Sequence, residues 1–130
     1  MQLAQGEFGG RVGIWRLIEL FSANDVTATI FTPGRICELY PQSLVAAHKA
    51  GFEIADHMWE HHVPKDMQLE HDHIRKSTFA LEKTVGKRPV GTRSRHTNSL
   101  LLEEGYNSCY AVAAVGERGE RHIFMKLSCV

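Results

Sequence analysis

The stretch Gly51-Phe-Glu-Ile-Ala-Asp-His-Met-Trp-Glu-His-His-Val-Pro64 decides the fold. Apolar and smaller or charged residues alternate from Phe52 to Ala55, which is the period of a pleated strand. Asp56 and His57 follow at the end of this strand, and Pro64 stops any regular structure beyond it. The stretch therefore predicts a short buried strand that leads into a cluster of histidines.

Two histidines of this cluster, His57 and His61, are four residues apart. On one helical turn or in a tight loop, this spacing directs both imidazoles at a common point. Imidazole suits zinc, cobalt and nickel, and ligands collect at the carboxyl ends of strands in α/β proteins. A catalytic metal usually has three protein ligands, so a third is needed, and Asp56 is a candidate. The alternative is a merely local pair, because the chain has eight histidines in 130 residues. The histidines that we expect to be solvated are His62, His71 and His73.

Bulk properties exclude several classes of function. The length of 130 residues suits one domain. A formal net charge of +0 and a pI near 7.1 argue against nucleic-acid and membrane-surface partners. No apolar run is long enough to span a membrane, and residues 1–7 lack the features of a signal peptide. The three cysteines form no Cys-x-x-Cys motif, which indicates reduced thiols and predicts a cytoplasmic protein.

Helical and strand patterns alternate along the chain. Predicted helices run over 11–24, 41–50, 66–85 and 98–104, with Trp15 and Phe21 expected in the core. Predicted strands run over 26–31, 52–55, 88–93, 106–115 and 122–127, the last two as a hairpin. This alternation predicts βα units with a mainly parallel sheet and flanking helices. The strands are too few for a closed eight-stranded barrel.

Four segments in this order, 11–17, 26–31, 51–54 and 86–91, together resemble the polysaccharide deacetylase family (NodB-homology, carbohydrate esterase family 4). The chain is most similar to the cytoplasmic branch with peptidoglycan-deacetylase-like and allantoinase-like enzymes, over about residues 8–110. The resemblance implies a partial (β/α) barrel of the NodB-homology type. It also implies that residues 1–130 are a single truncated domain that lacks the first strand and the C-terminal half.

The resemblance assigns roles to three residues. The family has a His-Gly-Tyr-x-His segment whose histidines bind a divalent metal, usually zinc, and His57 and His61 occupy those positions here. Met58 replaces the glycine. Arg93 matches the family arginine that orients the catalytic base, although the proline of its Arg-x-Pro motif is absent. The implied reaction is hydrolysis of a non-peptide carbon–nitrogen bond in an N-acetylated glycan or a small amide or ureide.

One departure from the family is large. Its Asp-Asp motif, which supplies the third metal ligand and the general base, is found nowhere in this sequence. We therefore expect weak or no deacetylase activity from this chain alone. A sheet without its first strand exposes unpaired edges, so we also expect a homo-oligomer.

Two other hypotheses remain open. His57, Glu60 and His61 fit the His-x-x-Glu-His pattern of inverted zinc proteases, which requires a continuous helix that Pro64 leaves little room for. The second hypothesis is that the chain is a non-catalytic remnant that binds a sugar or a partner protein. Trp59 is then either a platform for the sugar or a buried aromatic residue.

Overall fold

Helices and strands alternate along the chain in the predicted order. The computed structural model describes residues 7–60, 62–109 and 122–126. The strands are β1 (Thr27–Thr32), β2 (Glu53–Asp56), β3 (Gly91–Thr92), β4 (Ser108–Cys109) and β5 (His122–Lys126). A π-helical turn (Gly9–Gly13) leads into α1 (Ile14–Ala23) and is followed along the chain by α2 (Ile36–Leu39), α3 (Pro41–Lys49), α4 (Met67–Val85) and α5 (Asn98–Glu103).

The five strands form one sheet in the order β4-β3-β2-β1-β5, and all four pairings are parallel. The predicted parallel α/β architecture is thus confirmed. The predicted hairpin is wrong, because β5 pairs with β1 at the edge opposite β4. The ring of Phe124 in β5 stacks on Phe31 at 5.9 Å between centroids, which joins β5 to this edge. The rest of the predicted 106–115 strand lies outside the described residues.

The longest helix, α4, begins and ends where the sequence predicts. The Asp66 side chain accepts a hydrogen bond from the Leu69 amide at 2.9 Å, as an N-cap residue should. Gly86 follows the last turn with a φ of 78°, a left-handed conformation that favours glycine. These caps fix the length of the helix that packs behind β2.

The main core lies between the sheet and helices α1, α3 and α4. Its fully buried members include Ile30, Leu44 and Leu81. Phe21 packs against it, with its ring 6.1 Å from that of Phe52. The prediction for Trp15 is wrong, because 40% of this residue is exposed. It shares the helix with the apolar stripe but faces away from the core. Within the described part of the chain, no helix is long and apolar enough to cross a membrane.

Candidate functional site

The carboxyl ends of three neighbouring strands lie level with each other. Thr32 pairs with Asp56, and Asp56 pairs with Thr92. The residue that follows each of β2 and β3 is hydrogen-bonded to the neighbouring strand. The His57 amide donates to the Thr32 carbonyl, and the Arg93 amide donates to the Asp56 carbonyl, each at 3.0 Å. The fold thus brings His57 and Arg93 together at the carboxyl edge of the sheet, where functional groups of α/β proteins collect.

The imidazole of His57 is oriented by a backbone group. Its Nδ1 hydrogen-bonds the carbonyl oxygen of Arg93. A carbonyl only accepts, so Nδ1 carries the proton and the ring lone pair is at Nε2. This arrangement is common for metal-binding histidines, in which the second ring nitrogen donates to a carbonyl or carboxylate. The ring of His57 therefore has the tautomer that a metal requires.

Arg93 contributes to the site chiefly through its backbone. Its carbonyl holds His57, whereas its exposed side chain places the guanidinium carbon 5.9 Å from the ring centroid of Phe31. The guanidinium therefore lies near the end of β1. Its predicted role, orienting a catalytic base, stays a prediction.

The second predicted ligand, His61, lies outside the described residues. Within the part of the chain that is described, no group of three histidine, cysteine or carboxylate side chains is arranged to hold a metal. The oriented imidazole of His57 is suited to bind a divalent metal. A complete set of metal ligands does not lie within the described residues.

Asp56, the candidate third ligand, faces the interior instead. Its Oδ1 accepts from the Ser77 hydroxyl. Its Oδ2 accepts from the Met58 amide at 3.1 Å and from the Thr92 hydroxyl at 3.0 Å. Burial raises the pKa of this carboxyl, and the Ser77 hydrogen bond is the main opposing effect. Both oxygens are committed to the protein, so the ligand hypothesis for Asp56 is wrong and the residue anchors the loop after β2.

The loop after β2 is tightly packed. Met58 has a φ of 65°, and the carbonyls of Met58 and Trp59 accept from the amides of Gly34 and Arg35 at 2.9 and 3.2 Å. Trp59 is buried, and the Lys76 ammonium lies 3.9 Å from its ring centroid. Of the two interpretations of Trp59, the buried aromatic is confirmed and the open sugar platform is wrong.

The zinc-protease hypothesis does not fit this loop. Residues 57–60 and 62–66 are not helical, so the required helix is absent on both sides of His61. Glu60, the supposed general base, pairs with Arg35 at 2.6 Å on the surface. The His-x-x-Glu-His pattern is therefore coincidental.

A buried polar cluster next to the loop was missed. The fully buried side chain of His96 contacts Glu70 Oε1 through Nδ1 at 3.2 Å. Glu70 also accepts from the amide and hydroxyl of Thr97 at 2.6 and 3.0 Å. Burial lowers the pKa of His96. The signal in the sequence was spacing, because Glu70 lies on the same helical face as Ile74 and Ser77.

The three histidines that were expected to be solvated lie in three different environments. His62 is exposed, as predicted. The prediction for His71 is wrong, because its largely buried side chain contacts Glu104 at 2.9 Å. His73 is half-buried rather than solvated, and its Nδ1 is buried without a hydrogen-bond partner among the described residues.

Comparison with known proteins gives a consistent result. A family model for polysaccharide deacetylases matches residues 9–101. The chain is 34% identical over 112 residues to the peptidoglycan deacetylase of Helicobacter pylori, covering 80% of this chain and 38% of that protein. It superposes on the allantoinase PuuE with a TM-score of 0.72 and 27% identity, covering 92% of this chain and 45% of that one. It shares the fold of the peptidoglycan deacetylase PdaC of Bacillus subtilis, with a TM-score of 0.70 at 18% identity, over 88% of this chain and 67% of that one.

The chain thus spans less than half the length of the Helicobacter pylori relative. The matched region nevertheless includes β1 to β3, the loop with His57, and Arg93. The order of the elements, the oriented histidine and the family match agree: this chain belongs to the polysaccharide deacetylase family.

Proposed function

We propose that this chain supplies the histidine half of the metal site of a polysaccharide N-deacetylase. The substrate is an N-acetylated glycan such as peptidoglycan, and the reaction cleaves its amide to an amine and acetate. The observation that supports this most is the tautomer of His57, whose Nδ1 donates to the Arg93 carbonyl at the carboxyl edge of the sheet. Family membership gives the reaction class.

In this proposal His57 and His61 are the protein ligands of a divalent metal, with zinc as the first choice. A bound metal would polarise the amide carbonyl and lower the pKa of water. The chain itself fixes the tautomer and the ring plane of His57 through the Arg93 carbonyl. Asp56 holds the turn that contains His57 by accepting a hydrogen bond from the Met58 amide. In this proposal the Arg93 guanidinium, which lies at the same edge near Phe31, orients an acidic group.

We further propose that the 130-residue chain is weakly active or inactive by itself. Its sequence contains no Asp-Asp pair to act as third ligand and general base. Loss of a general base alone lowers rates by roughly 100- to 10,000-fold. The same absence favours one alternative, a non-catalytic domain that binds a glycan or a partner protein. The cytoplasmic location stays a prediction.

Acetate release from chitin oligomers and peptidoglycan, with zinc present, tests the proposal. The Helicobacter pylori peptidoglycan deacetylase serves as the positive control. We expect acetate release roughly 100-fold or more below that control. If the chain released acetate as fast as the control, and His57→Ala abolished this release, the proposed inactivity would be refuted. The same result would support the assigned deacetylase chemistry. Glycan binding that survives His57→Ala without any turnover would favour the non-catalytic alternative.

A further inference from the structure

A groove lies between α3 and α4, and His57 is not among its lining residues. Its volume is about 700 Å³, within the range of roughly 300–1,000 Å³ of small-molecule sites. Its walls are largely apolar, formed by Val45 and Ala46 on one side and by Phe79 and Ala80 on the other. Phe79 is 66% exposed, which is unusual for a large aromatic residue in a helix. The groove therefore offers apolar surface that an occupant would cover.

The rim of the groove is positively charged. Lys49, Lys76 and Lys83 line it, whereas Glu38 is the one carboxylate among the described lining residues. In the described part of the chain, no carboxylate oxygen lies within 4.0 Å of any of these three ammonium groups. Charges of one sign around a concave apolar wall create a potential that attracts an opposite charge. The rim thus favours an anionic occupant.

Helical spacing gives the dimensions of that occupant. Lys76, Phe79 and Lys83 stand at positions i, i+3 and i+7 of α4, and so share one face. The two lysines are about 10 Å apart along the helix axis, with the apolar residues between them. The Lys76 ammonium is fixed 3.9 Å from the ring centroid of Trp59 at one end of this face. An apolar chain with one anionic end fits this pattern.

We infer that the groove binds an amphiphilic monocarboxylate with an unbranched tail about two helical turns long. The carboxylate contacts a rim lysine, and the tail covers Phe79 and Ala80. Such a ligand also contacts Trp59, which lies in the loop between His57 and His61. Occupancy would therefore restrain the loop that leads to the candidate metal ligands.

Calorimetric titration with decanoate, below its critical micelle concentration, tests this inference. We expect saturable binding to one site, with 1-decanol binding more weakly because it lacks the charge. The Lys76→Gln/Lys83→Gln variant should weaken decanoate binding by roughly 1.5- to 5-fold, the range for the loss of one exposed ion pair. The matched control is Lys65→Gln/Lys87→Gln, which removes the same charge outside the groove and should leave the affinity unchanged.

Two further measurements address the position of the ligand. Cys37 lines the groove, so decanoate should slow its modification by a maleimide, as followed by peptide mass spectrometry. Ala80→Phe should fill the groove and abolish binding. Equal binding by the parent and the two lysine variants, or no protection of Cys37, would overturn the inference. It would also be overturned if Ala80→Phe dissociated an oligomer, because the groove would then bind a second copy of the chain.

Discussion

Met58 adopts a backbone conformation that residues other than glycine rarely adopt. Its φ is 65°, and its amide donates to Asp56 Oδ2 while its carbonyl accepts from Gly34. These hydrogen bonds hold the residue in place although the left-handed conformation costs about 1–2 kcal/mol. The side chain is buried and stabilises the loop in return. The position therefore combines backbone strain with side-chain burial.

Substitutions at Met58 separate these two effects. Met58→Ala and Met58→Gly both remove the buried side chain, but only glycine relieves the strain. We expect Met58→Gly to be more stable than Met58→Ala by about 1 kcal/mol in urea unfolding. At Glu19, which is exposed in the interior of α1, the order should reverse by about the same amount. An alanine variant as stable as the glycine variant at position 58 would show that the φ is not positive in solution.

Asp56 is the second residue on which the loop depends. Asp56→Ala would leave three buried donors, those of Ser77, Thr92 and Met58, without their acceptor. Each buried unsatisfied group costs about 1–3 kcal/mol, so we expect a loss of at least about 3 kcal/mol in the free energy of unfolding. Asp72→Ala, at an exposed carboxylate of α4, is the control and should cost less than about 1 kcal/mol. Similar midpoints for the two variants would contradict the anchoring role.

Among the helices, α4 and α5 are joined by the Glu70 side chain, which binds the residue that precedes α5. Thr97 precedes the first turn of α5, and its amide and hydroxyl both donate to Glu70 of α4. Burial would raise the pKa of Glu70, but the hydrogen bonds from Thr97 and His96 outweigh it, and the pKa is lowered. The ionised carboxylate is therefore the form that holds the two helices together.

The lowered pKa predicts how stability depends on pH. The Glu70 carboxyl binds a proton less tightly in the folded state than in the unfolded state. Its contribution to the free energy of unfolding is therefore fully present above the ordinary pKa of 4.5. It is lost as the pH falls from 4.5 through the folded pKa. Glu70→Gln should lower stability at pH 7 by about 1.5–3 kcal/mol and flatten the pH dependence below 4.5. Glu19→Gln, at an exposed site, should follow the wild type. Parallel curves for wild type and Glu70→Gln would contradict this role of the Glu70 carboxylate.

The helices and strands could be predicted largely from local signals. Asp66 and Gly86 indicate where α4 begins and ends, and β-branched residues indicate the strand β1. The partner of β5 could not be predicted, because its residues suit either edge of the sheet and the choice depends on packing between Phe124 and Phe31. Helical spacing indicates that Glu70 is on the buried face of α4, but its hydrogen-bond partners, like those of Asp56, could not be predicted from local patterns. Carboxylates are usually exposed, and only the fold shows the donors around them.

At the scale of the whole molecule, the sheet has two edges among the described residues. Strands β4 and β5 are its two edges, and the pairing among described residues ends there. β4 has two residues, whereas β5 has five. The edge strand of a sheet can pair with a strand of a second chain through its backbone amide and carbonyl groups. The longer edge, β5, is the better candidate for such pairing.

We therefore predict self-association of the 130-residue chain. Sedimentation velocity over a range of concentrations should show a dimer or larger species. Ile123→Lys puts a charge on the exposed Ile123 position of β5 and should shift the distribution towards monomer, because charged side chains on edge strands oppose pairing. Ile123→Thr, which adds no charge, is the control. A monomer at every concentration would contradict the prediction.

The central claim is that His57 and His61 are the metal-binding residues that this chain contributes to a deacetylase. Zinc titration by calorimetry tests it most directly, with far-UV circular dichroism to verify folding. We expect one zinc per wild-type chain, at least about tenfold weaker binding to His57→Ala/His61→Ala, and unchanged binding to His48→Ala, a half-buried histidine of α3. Equal zinc affinity of all three proteins, or binding by none of them, would contradict the claim.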